Sequence, residues 1–417
     1  MLSTESPAPS KLPRKPHEGM SFPEFVALIA ALMALNALSI DIMLPGLPDI
    51  GKDFGLTDPN ERQLLITSYL VGLAFASLIF GPISDWIGRK KVLLFGIVLF
   101  AFGAFLSAMS DTFGTLLLSR AVQGIGAAAP RVVTVSMVRD WYEGRQMGRV
   151  MSLAMMVFMA APILAPSIGQ SILFIGPWEW IFAFLTLFGV CLLAWCYTRL
   201  PESLEPENRR RMSFGFVLNA YKTVLTTRLT FGYMLAMSFV FGGLMSFINS
   251  AQQIFVDIFD LGTTFPIVFA VIAASLSLAS YLNARFVEKY GLRRLSHMAL
   301  FGYTAVSIIH AIVALSGLSN LATFICLQML IMFFFGFIGP NFNTMAMEPL
   351  AKIAGTGSAM IGFFSTLVSA LLGAAVGAMF DGTIIPFTLG FSTFGILAMI
   401  TVYITEGGEF MKPQHEQ

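Results

Sequence analysis

Two of the ionisable side chains inside long apolar runs lie at positions suited to proton chemistry: Asp41 in the run 22–47 and Arg120 in the run 113–137. Ionisable groups are costly inside a membrane-length segment, and those that occur there usually mark ion or substrate pathways. A carboxyl group can take up and release a proton. A nearby guanidinium favours its charged form, whereas burial favours its neutral form. The pair therefore predicts a proton-coupling site, and the alternative is a static buried ion pair or two helix-end charges.

The positions of Asp41 and Arg120 along their helices also agree. Asp41 is seven residues before Pro48, and Arg120 is seven residues after Phe113. With the first span running outwards and the fourth inwards, each side chain lies about 10 Å from the same side of the membrane. We therefore expect both side chains to face one central cavity and to influence each other's charge.

The composition is typical of a membrane protein. Of 417 residues, 56% are hydrophobic and 12% are charged, whereas soluble proteins carry about 25% charged residues. Apolar runs long enough to cross a bilayer occur at 22–47, 63–80, 92–109, 113–137, 150–174, 178–197, 229–255, 265–286, 295–315, 320–338, 358–380 and 384–403. We predict an all-α membrane protein of twelve transmembrane helices in two pseudo-symmetric six-helix halves.

The predicted organisation has five parts. They are an N-terminal tail (1–21), an N-terminal half (22–198), a linker (199–228), a C-terminal half (229–405) and a C-terminal tail (406–417). With the N-terminus inside, 21 of the 25 lysines and arginines lie in inside segments. Because basic residues concentrate on the cytoplasmic side, we expect both tails and the linker in the cytoplasm and the protein in the inner or plasma membrane.

Several function classes lack their usual sequence signals. The net charge of +1 gives no field that would recruit nucleic acid. There is no phosphate-binding glycine loop and no histidine–cysteine cluster spaced for a metal. The sequence therefore predicts that the protein is not an enzyme and needs no metal or cofactor. We further expect it to function as a monomer in the bilayer, with protons and a small molecule as its partners.

A charged segment at 81–91 separates the second and third apolar runs, and we predict a compact turn there. Charge retention in the cytoplasm would explain its lysines but not its glycines and aspartate. A weaker copy follows, with Glu288 and Gly291 each 203 residues beyond Asp85 and Gly88. The residues expected to form a conformational gate with the next basic loop are Gly81, Asp85, Gly88, Arg89, Arg139 and Asp140.

Three segments resemble the major facilitator superfamily of transporters. Residues 81–91 resemble its signature between spans two and three, with Ile83 in place of leucine, and residues 116–127 resemble a segment of its proton-coupled members. The segment 161–169, with Pro162, Pro166 and Gly169, resembles the antiporter motif of drug exporters, although Ala165 replaces a glycine. Residues 41–50 and 355–359 are similar to the bicyclomycin-resistance (Bcr/CflA) branch.

The resemblance implies a proton-coupled secondary transporter that exports small amphipathic molecules by alternating access, as in multidrug efflux and antibiotic resistance. It also implies that Asp85 belongs to the gate. The alternatives are a dedicated exporter or symporter of one metabolite, such as a siderophore or an amino acid derivative, or a membrane sensor or scaffold that transports nothing.

Polar and adaptable side chains within the spans are candidates for the substrate cavity. They are Asn36, Tyr69, Gln123, Met155, Phe158, Asn249, Gln252 and Asn341. Each polar member could equally make a hydrogen bond between helices, and the sulfur and aromatic side chains could equally pack against neighbours or lipid. Arg131, about six residues from the inner end of its run, is interpreted as extending its side chain to the membrane surface.

Overall fold

The computed structural model describes residues 19–142, 144–209 and 214–411. Within these ranges the chain forms helices and no strands. Twelve of the helical segments in this described part are long and apolar enough to cross a membrane. The predicted fold class, an all-α protein of twelve spans in two six-helix halves, is confirmed.

The N-terminal half contains six spans and one short helix. Its helices are α1 (Phe22–Asp41), α2 (Leu47–Asp53), α3 (Leu64–Ile87), α4 (Arg89–Ala108), α5 (Phe113–Trp141), α6 (Gly144–Leu173) and α7 (Glu179–Arg199). The linker contributes α8 (Phe214–Thr226). We call the membrane face with the α3–α4 junction the basic face and the other the opposite face.

The C-terminal half repeats the arrangement with six spans. Its helices are α9 (Arg228–Gln252), α10 (Phe265–Tyr290), α11 (Leu292–Leu315), α12 (Leu321–Met347), α13 (Ala354–Ala378) and α14 (Ile385–Thr405). One π-helical turn, Gln253–Ile258, extends α9. The halves pack against each other mainly through α3 with α13 and α6 with α10.

The predicted turn at 81–91 is much shorter in the structure. α3 continues to Ile87 and α4 begins at Arg89, so Gly88 alone interrupts the helices. Gly88 has a φ of 113° and Gly291, between α10 and α11, has a φ of 80°, a region that favours glycine. Gly81 lies inside α3, where an added Cβ would lie 3.6 Å from Val132 Cγ1, so alanine at the repeated position, Ala284, needs no special explanation.

Glycines let α5 pack backbone to backbone against its neighbours. An added Cβ at Gly72 of α3 would lie 2.2 Å from the Ala121 carbonyl oxygen, and one at Gly124 of α5 would lie 2.0 Å from the Tyr69 carbonyl oxygen. Small residues permit such close approach of helices in lipid. The resulting contact fixes α5, and with it Arg120, against α3.

The linker is helical where the sequence analysis predicted only a polar connection. Ala220 and Val224 on one side of α8 are buried, and the Tyr221 hydroxyl donates to the Leu78 carbonyl of α3 at 2.9 Å. Burial raises the pKa of Tyr221 to about 12, so the phenol remains a hydrogen-bond donor at neutral pH. The linker helix is thereby attached to the basic end of the N-terminal half.

Candidate functional site

Arg120 is fully buried in the N-terminal half, and neutral groups surround it. Its guanidinium donates to Gln123 Oε1 at 2.6 Å, to the Ser39 carbonyl at 3.2 Å and to the Leu65 carbonyl at 3.3 Å. The guanidinium carbon lies 4.6 Å from the centre of the Tyr69 ring, within cation–π range. Arg120 therefore joins α1, α3 and α5 at one point.

Two more predicted residues complete this group. The Tyr69 hydroxyl donates to Asn36 Oδ1 at 3.0 Å, and Asn36 Nδ2 donates to the Ala127 carbonyl at 3.3 Å. We call Arg120, Gln123, Tyr69 and Asn36 the arginine cluster. These four predicted residues lie together and bond to one another, and all are buried.

Asp41 is the last residue of α1 and is 3% exposed. Arg120 bonds to the carbonyl of Ser39, two residues earlier, so the two ionisable groups do lie at similar depth. Within the described residues, however, no ion pair links them, and Asp41 Oδ1 has no hydrogen-bond donor. Asp41 and Arg120 therefore do not form the static ion pair considered from the sequence, and no described contact supports the expectation that they influence each other's charge. Arg120 is satisfied by neutral acceptors instead.

The proline-containing helix α6 packs beside Asp41. It remains one helix through Pro162 and Pro166. An added Cβ at Gly169 would lie 1.9 Å from the carbonyl oxygen of Ile42, the residue after Asp41. The antiporter-like segment therefore holds the end of α1 that carries the unpaired carboxyl group.

We expect Gly169→Ala to lower both the thermal stability and any transport activity. The added methyl group meets backbone, which cannot move aside as a flexible side chain can, so α6 and α1 must separate near Asp41. Overpacking of this kind destabilises proteins by about 1–3 kcal/mol. Melting curves of the purified protein measure the effect. Gly114→Ala is the matched control because its Cβ would meet nothing within 4 Å, and equal melting temperatures for the two variants would contradict the close contact.

Three of the six predicted gate residues meet in a charge cluster at the basic face. Arg89, only 4% exposed, forms an ion pair with Asp85, another with Asp140 at 3.1 Å and a hydrogen bond to Ser84 Oγ at 2.7 Å. Arg139 is exposed and makes no hydrogen bond or ion pair to any described residue. Asp85, Arg89 and Asp140 therefore form one charge cluster, and Arg139 does not join it.

Two linker residues belong to this cluster although the sequence analysis did not single them out. Glu202 Oε1 accepts from the backbone N–H of Arg89 at 2.8 Å, which places a carboxylate at the N-terminus of α4, a favourable position for negative charge. Ser203 donates to Asp140 Oδ2 at 2.9 Å. Glu202 Oε2 lies 2.5 Å from where a Cβ on Gly88 would be, which gives a second reason for glycine there.

The other predicted cavity residues are dispersed. Asn341 of α12 and Asn283 of α10 bond to each other reciprocally at 2.8 and 3.3 Å, and Gln252 donates to Asp257 at 3.3 Å. Neither amide atom of Asn249 has a partner among the described residues. Met155 and Phe158 are half-buried on α6. The structure does not bring these residues into the arginine cluster.

Polar side chains join the two halves at the opposite face. Gln63 Nε2 donates to Gln253 Oε1 at 2.6 Å and to the Gly377 carbonyl at 3.2 Å. Gln253 Nε2 donates to Asn60 Oδ1 at 2.8 Å. We call Asn60, Gln63 and Gln253 the amide cluster. It links the start of α3 to the ends of α9 and α13 and holds the halves together on this side.

A family model described as Major Facilitator Superfamily matches residues 29–374. The chain belongs to the major facilitator superfamily. A bicyclomycin resistance protein homolog of Haemophilus influenzae is 31% identical over 378 residues, which cover 88% of this chain and 92% of that protein. The chain is therefore a membrane transporter and not an enzyme.

Two further comparisons agree with this assignment to the major facilitator superfamily. Multidrug resistance protein MdtL of Shewanella oneidensis is 26% identical over 359 residues, covering 82% of this chain and 85% of the relative. The solved structure of the xylose transporter XylE of Escherichia coli, in a partially occluded inward open conformation, has a TM-score of 0.74 at 14% identity and covers 94% of this chain and 98% of XylE. The latter likeness concerns the fold.

Arg131 does not extend its side chain to the membrane surface, contrary to the interpretation from the sequence. Its Nη1 donates to Thr366 Oγ1 of α13 at 3.1 Å, a bond from the N-terminal to the C-terminal half. The residue is nevertheless exposed. Arg131 therefore lies in a space between the halves that water can reach.

The amide cluster leads to a prediction about conformation. Replacing Gln63 and Gln253 by alanine removes the bonds that these two side chains make between the halves. The bonds from Asn60 to the Ala378 and Phe380 carbonyls remain, so the opposite face should open more often without the halves separating. Net bonds of this kind contribute about 1 kcal/mol each, enough to change a two-state equilibrium several-fold. Spin labels on α3 and α13 near that face should report longer distances. Distances unchanged from those of the parent protein would contradict a role in closure.

Proposed function

We propose that the protein is a drug/proton antiporter that exports small amphipathic molecules across the bacterial inner membrane. The single observation that carries the proposal is the buried Asp41 carboxyl group, one oxygen of which has no donor among the described residues. This group lies where the proline-containing helix α6 packs against the end of α1. The names of the bicyclomycin and multidrug resistance relatives support the substrate class.

We propose that Asp41 carries the exchanged proton. Enclosed and without a counter-charge, a carboxyl group is favoured in its neutral, protonated form. A substrate that enters from the basic face brings water and new polar contacts, which favour the carboxylate, and the proton leaves to that side. Opening of the opposite face then exposes Asp41 to the outside solution, where it is protonated again. The arginine cluster positions α1, α3 and α5 around this site.

The proposed conformational change is a rocking of two halves, 22–198 and 229–405, about the central space, as in other transporters built from repeats. In this account the basic face is cytoplasmic, as are the tails and the linker, and the protein works as a monomer without a cofactor. The charge cluster of Asp85, Arg89 and Asp140 is anchored by Glu202 and Ser203 and lies within the N-terminal half and the linker. We propose that it meets the C-terminal half at the basic face when the amide cluster opens.

Transport by purified protein in proteoliposomes tests the function. A panel of cationic, neutral and anionic drug-like compounds is offered with an imposed pH gradient, and protein-free vesicles serve as the control. Several chemically different compounds should move against their gradients when protons flow the other way. Movement of one metabolite alone would indicate a dedicated carrier instead of a drug exporter, and absence of pH-driven movement of any compound would contradict antiport.

A further inference from the structure

Arg131 is a second arginine within the span α5, and its surroundings differ from those of Arg120. Arg120 donates to three acceptors and is fully buried. Among the described residues, Arg131 has one hydrogen bond, to the Thr366 hydroxyl, and its side chain is exposed. Most of the five N–H donors of its guanidinium therefore remain available to a ligand.

The exposed side chain of Arg131 does not face lipid. It is eleven residues after Arg120 on α5, which is three helical turns and about 16 Å along the same face. Its Nη1 donates to Thr366 Oγ1 of α13 at 3.1 Å, across the boundary between the halves. A guanidinium facing hydrocarbon would be strongly unfavourable. Arg131 thus points into the space between α5 and α13.

No carboxylate neutralises Arg131 within the described part of the chain, where the ion pairs found involve other arginines. Asp41 lies near the level of Arg120, about three turns away. The residue next to Thr366, Ser365, is 6% exposed, and its buried hydroxyl has no partner among the described residues. One turn towards the basic face, a Cβ on Gly362 would meet nothing within 4 Å. The site combines an unpaired cation, hydroxyl groups and open space.

We propose that Arg131, with the hydroxyls of Thr366 and Ser365, binds an anionic group of the transported molecule. A planar guanidinium binds a carboxylate, sulfonate or phosphonate through paired, charge-assisted hydrogen bonds. The substrates then include amphipathic organic anions. This inference rests on the proposed transport function and assigns a substrate class to its central space. Thr366 belongs to the C-terminal half. An anion that binds Arg131 would therefore compete with the hydrogen bond from Arg131 to Thr366, which joins the two halves.

Binding of three matched probes to the purified full chain in detergent tests the site. The probes are 1-naphthoate, the neutral 1-naphthamide and the cationic 1-naphthylmethylammonium, measured by equilibrium dialysis against protein-free micelles. The naphthoate should bind ~10–100-fold more tightly than the amide, the range expected for a charged hydrogen bond. Arg131→Gln should abolish this preference because glutamine can still bond to Thr366 but carries no charge. Arg131→Lys should retain part of it.

The controls separate an anion site from a tether between helices. Thr366→Val removes the bond between the halves and one hydroxyl of the proposed site but keeps the cation. The variant should bind naphthoate more weakly than the parent protein does, yet still more tightly than it binds naphthamide. Arg285→Gln removes an exposed arginine of α10 and should leave binding unchanged. Equal affinity for naphthoate and naphthamide, or a preference that survives in a folded Arg131→Gln protein, would overturn the anion site.

These outcomes are independent of the test of proton-coupled export. Loss of the naphthoate preference together with pH-driven movement of other compounds rejects the anion site alone. A clear preference for naphthoate with no pH-driven flux of any compound rejects antiport alone.

Discussion

Asp41→Asn should reduce pH-driven transport in proteoliposomes to the level of protein-free vesicles. The amide cannot exchange a proton, so the coupling step is lost. The protein should nevertheless fold normally. Asp41 Oδ1 has no hydrogen-bond donor in the described structure, so the substitution breaks no bond to that oxygen, and we expect a change in unfolding free energy of no more than about 1 kcal/mol.

Asp49→Asn is the matched control for Asp41→Asn. Asp49 is an exposed carboxylate on α2, close in sequence and at the same end of the first span. Its replacement should leave pH-driven flux intact. Equal flux in the parent protein and the Asp41 variant would show that the coupling proton binds elsewhere.

Arg120→Met should cause the largest loss of stability. It removes three hydrogen bonds from a buried, charged donor and the contact with the Tyr69 ring. It also leaves Gln123 Oε1 without that donor. Hydrogen bonds to charged groups contribute about 1.5–3 kcal/mol each, and the desolvation of the arginine itself offsets part of the sum. We expect a net destabilisation of about 3 kcal/mol or more.

Denaturant titration of the purified protein in detergent measures this loss. Arg120→Lys should be only slightly better than methionine, because an ammonium group cannot reproduce the fork of the guanidinium that reaches α1, α3 and α5. Arg285→Met removes an exposed arginine that lies over Tyr281 and should cost less than about 1 kcal/mol. If the two methionine variants unfold at the same denaturant concentration, the arginine cluster does not stabilise the N-terminal half.

The fold could be predicted because its causes are local in sequence. Membrane-length apolar runs require helices, since backbone polar groups in lipid must be satisfied within the segment. Gly88 and Gly291 could be related to each other because each occupies a one-residue junction that favours glycine. The predicted length of this junction was wrong because α3 continues through residues 81–87, beyond the end of the apolar run that was used to place it.

The level of the site within the membrane could be predicted from the sequence, but the direction in which each side chain points could not. Counting residues along α1 and α5 placed Asp41 and Arg120 at one level, and the bond from Arg120 to the Ser39 carbonyl agrees with this. The rotation of each helix depends on packing contacts, such as that of Gly124 with Tyr69, which hydropathy does not report. The sequence therefore did not reveal that Arg120 bonds to neutral groups instead of Asp41.

Contacts between distant segments were the least accessible to sequence analysis. Gln63 and Gln253 are separated by 190 residues, and neither has a neighbouring motif that indicates the other. Arg131 was misread because its distance from the helix end suggested the membrane surface, whereas its partner, Thr366, lies 235 residues away. Only one feature of the sequence could have indicated the role of Glu202: it is a carboxylate shortly after the end of the sixth span at Arg199.

The coupling of substrate to protons through Asp41 is tested most directly by recording both movements in the same vesicles. Proteoliposomes contain a pH-sensitive dye, and the compound with the highest flux in the panel is applied as a labelled concentration gradient. Movement of this compound through the parent protein should drive protons in the opposite direction. Asp41→Asn should still exchange labelled for unlabelled compound but should produce no change in internal pH. Opposed proton movement that persists in Asp41→Asn, or compound transport by the parent protein without any pH change, would contradict the account.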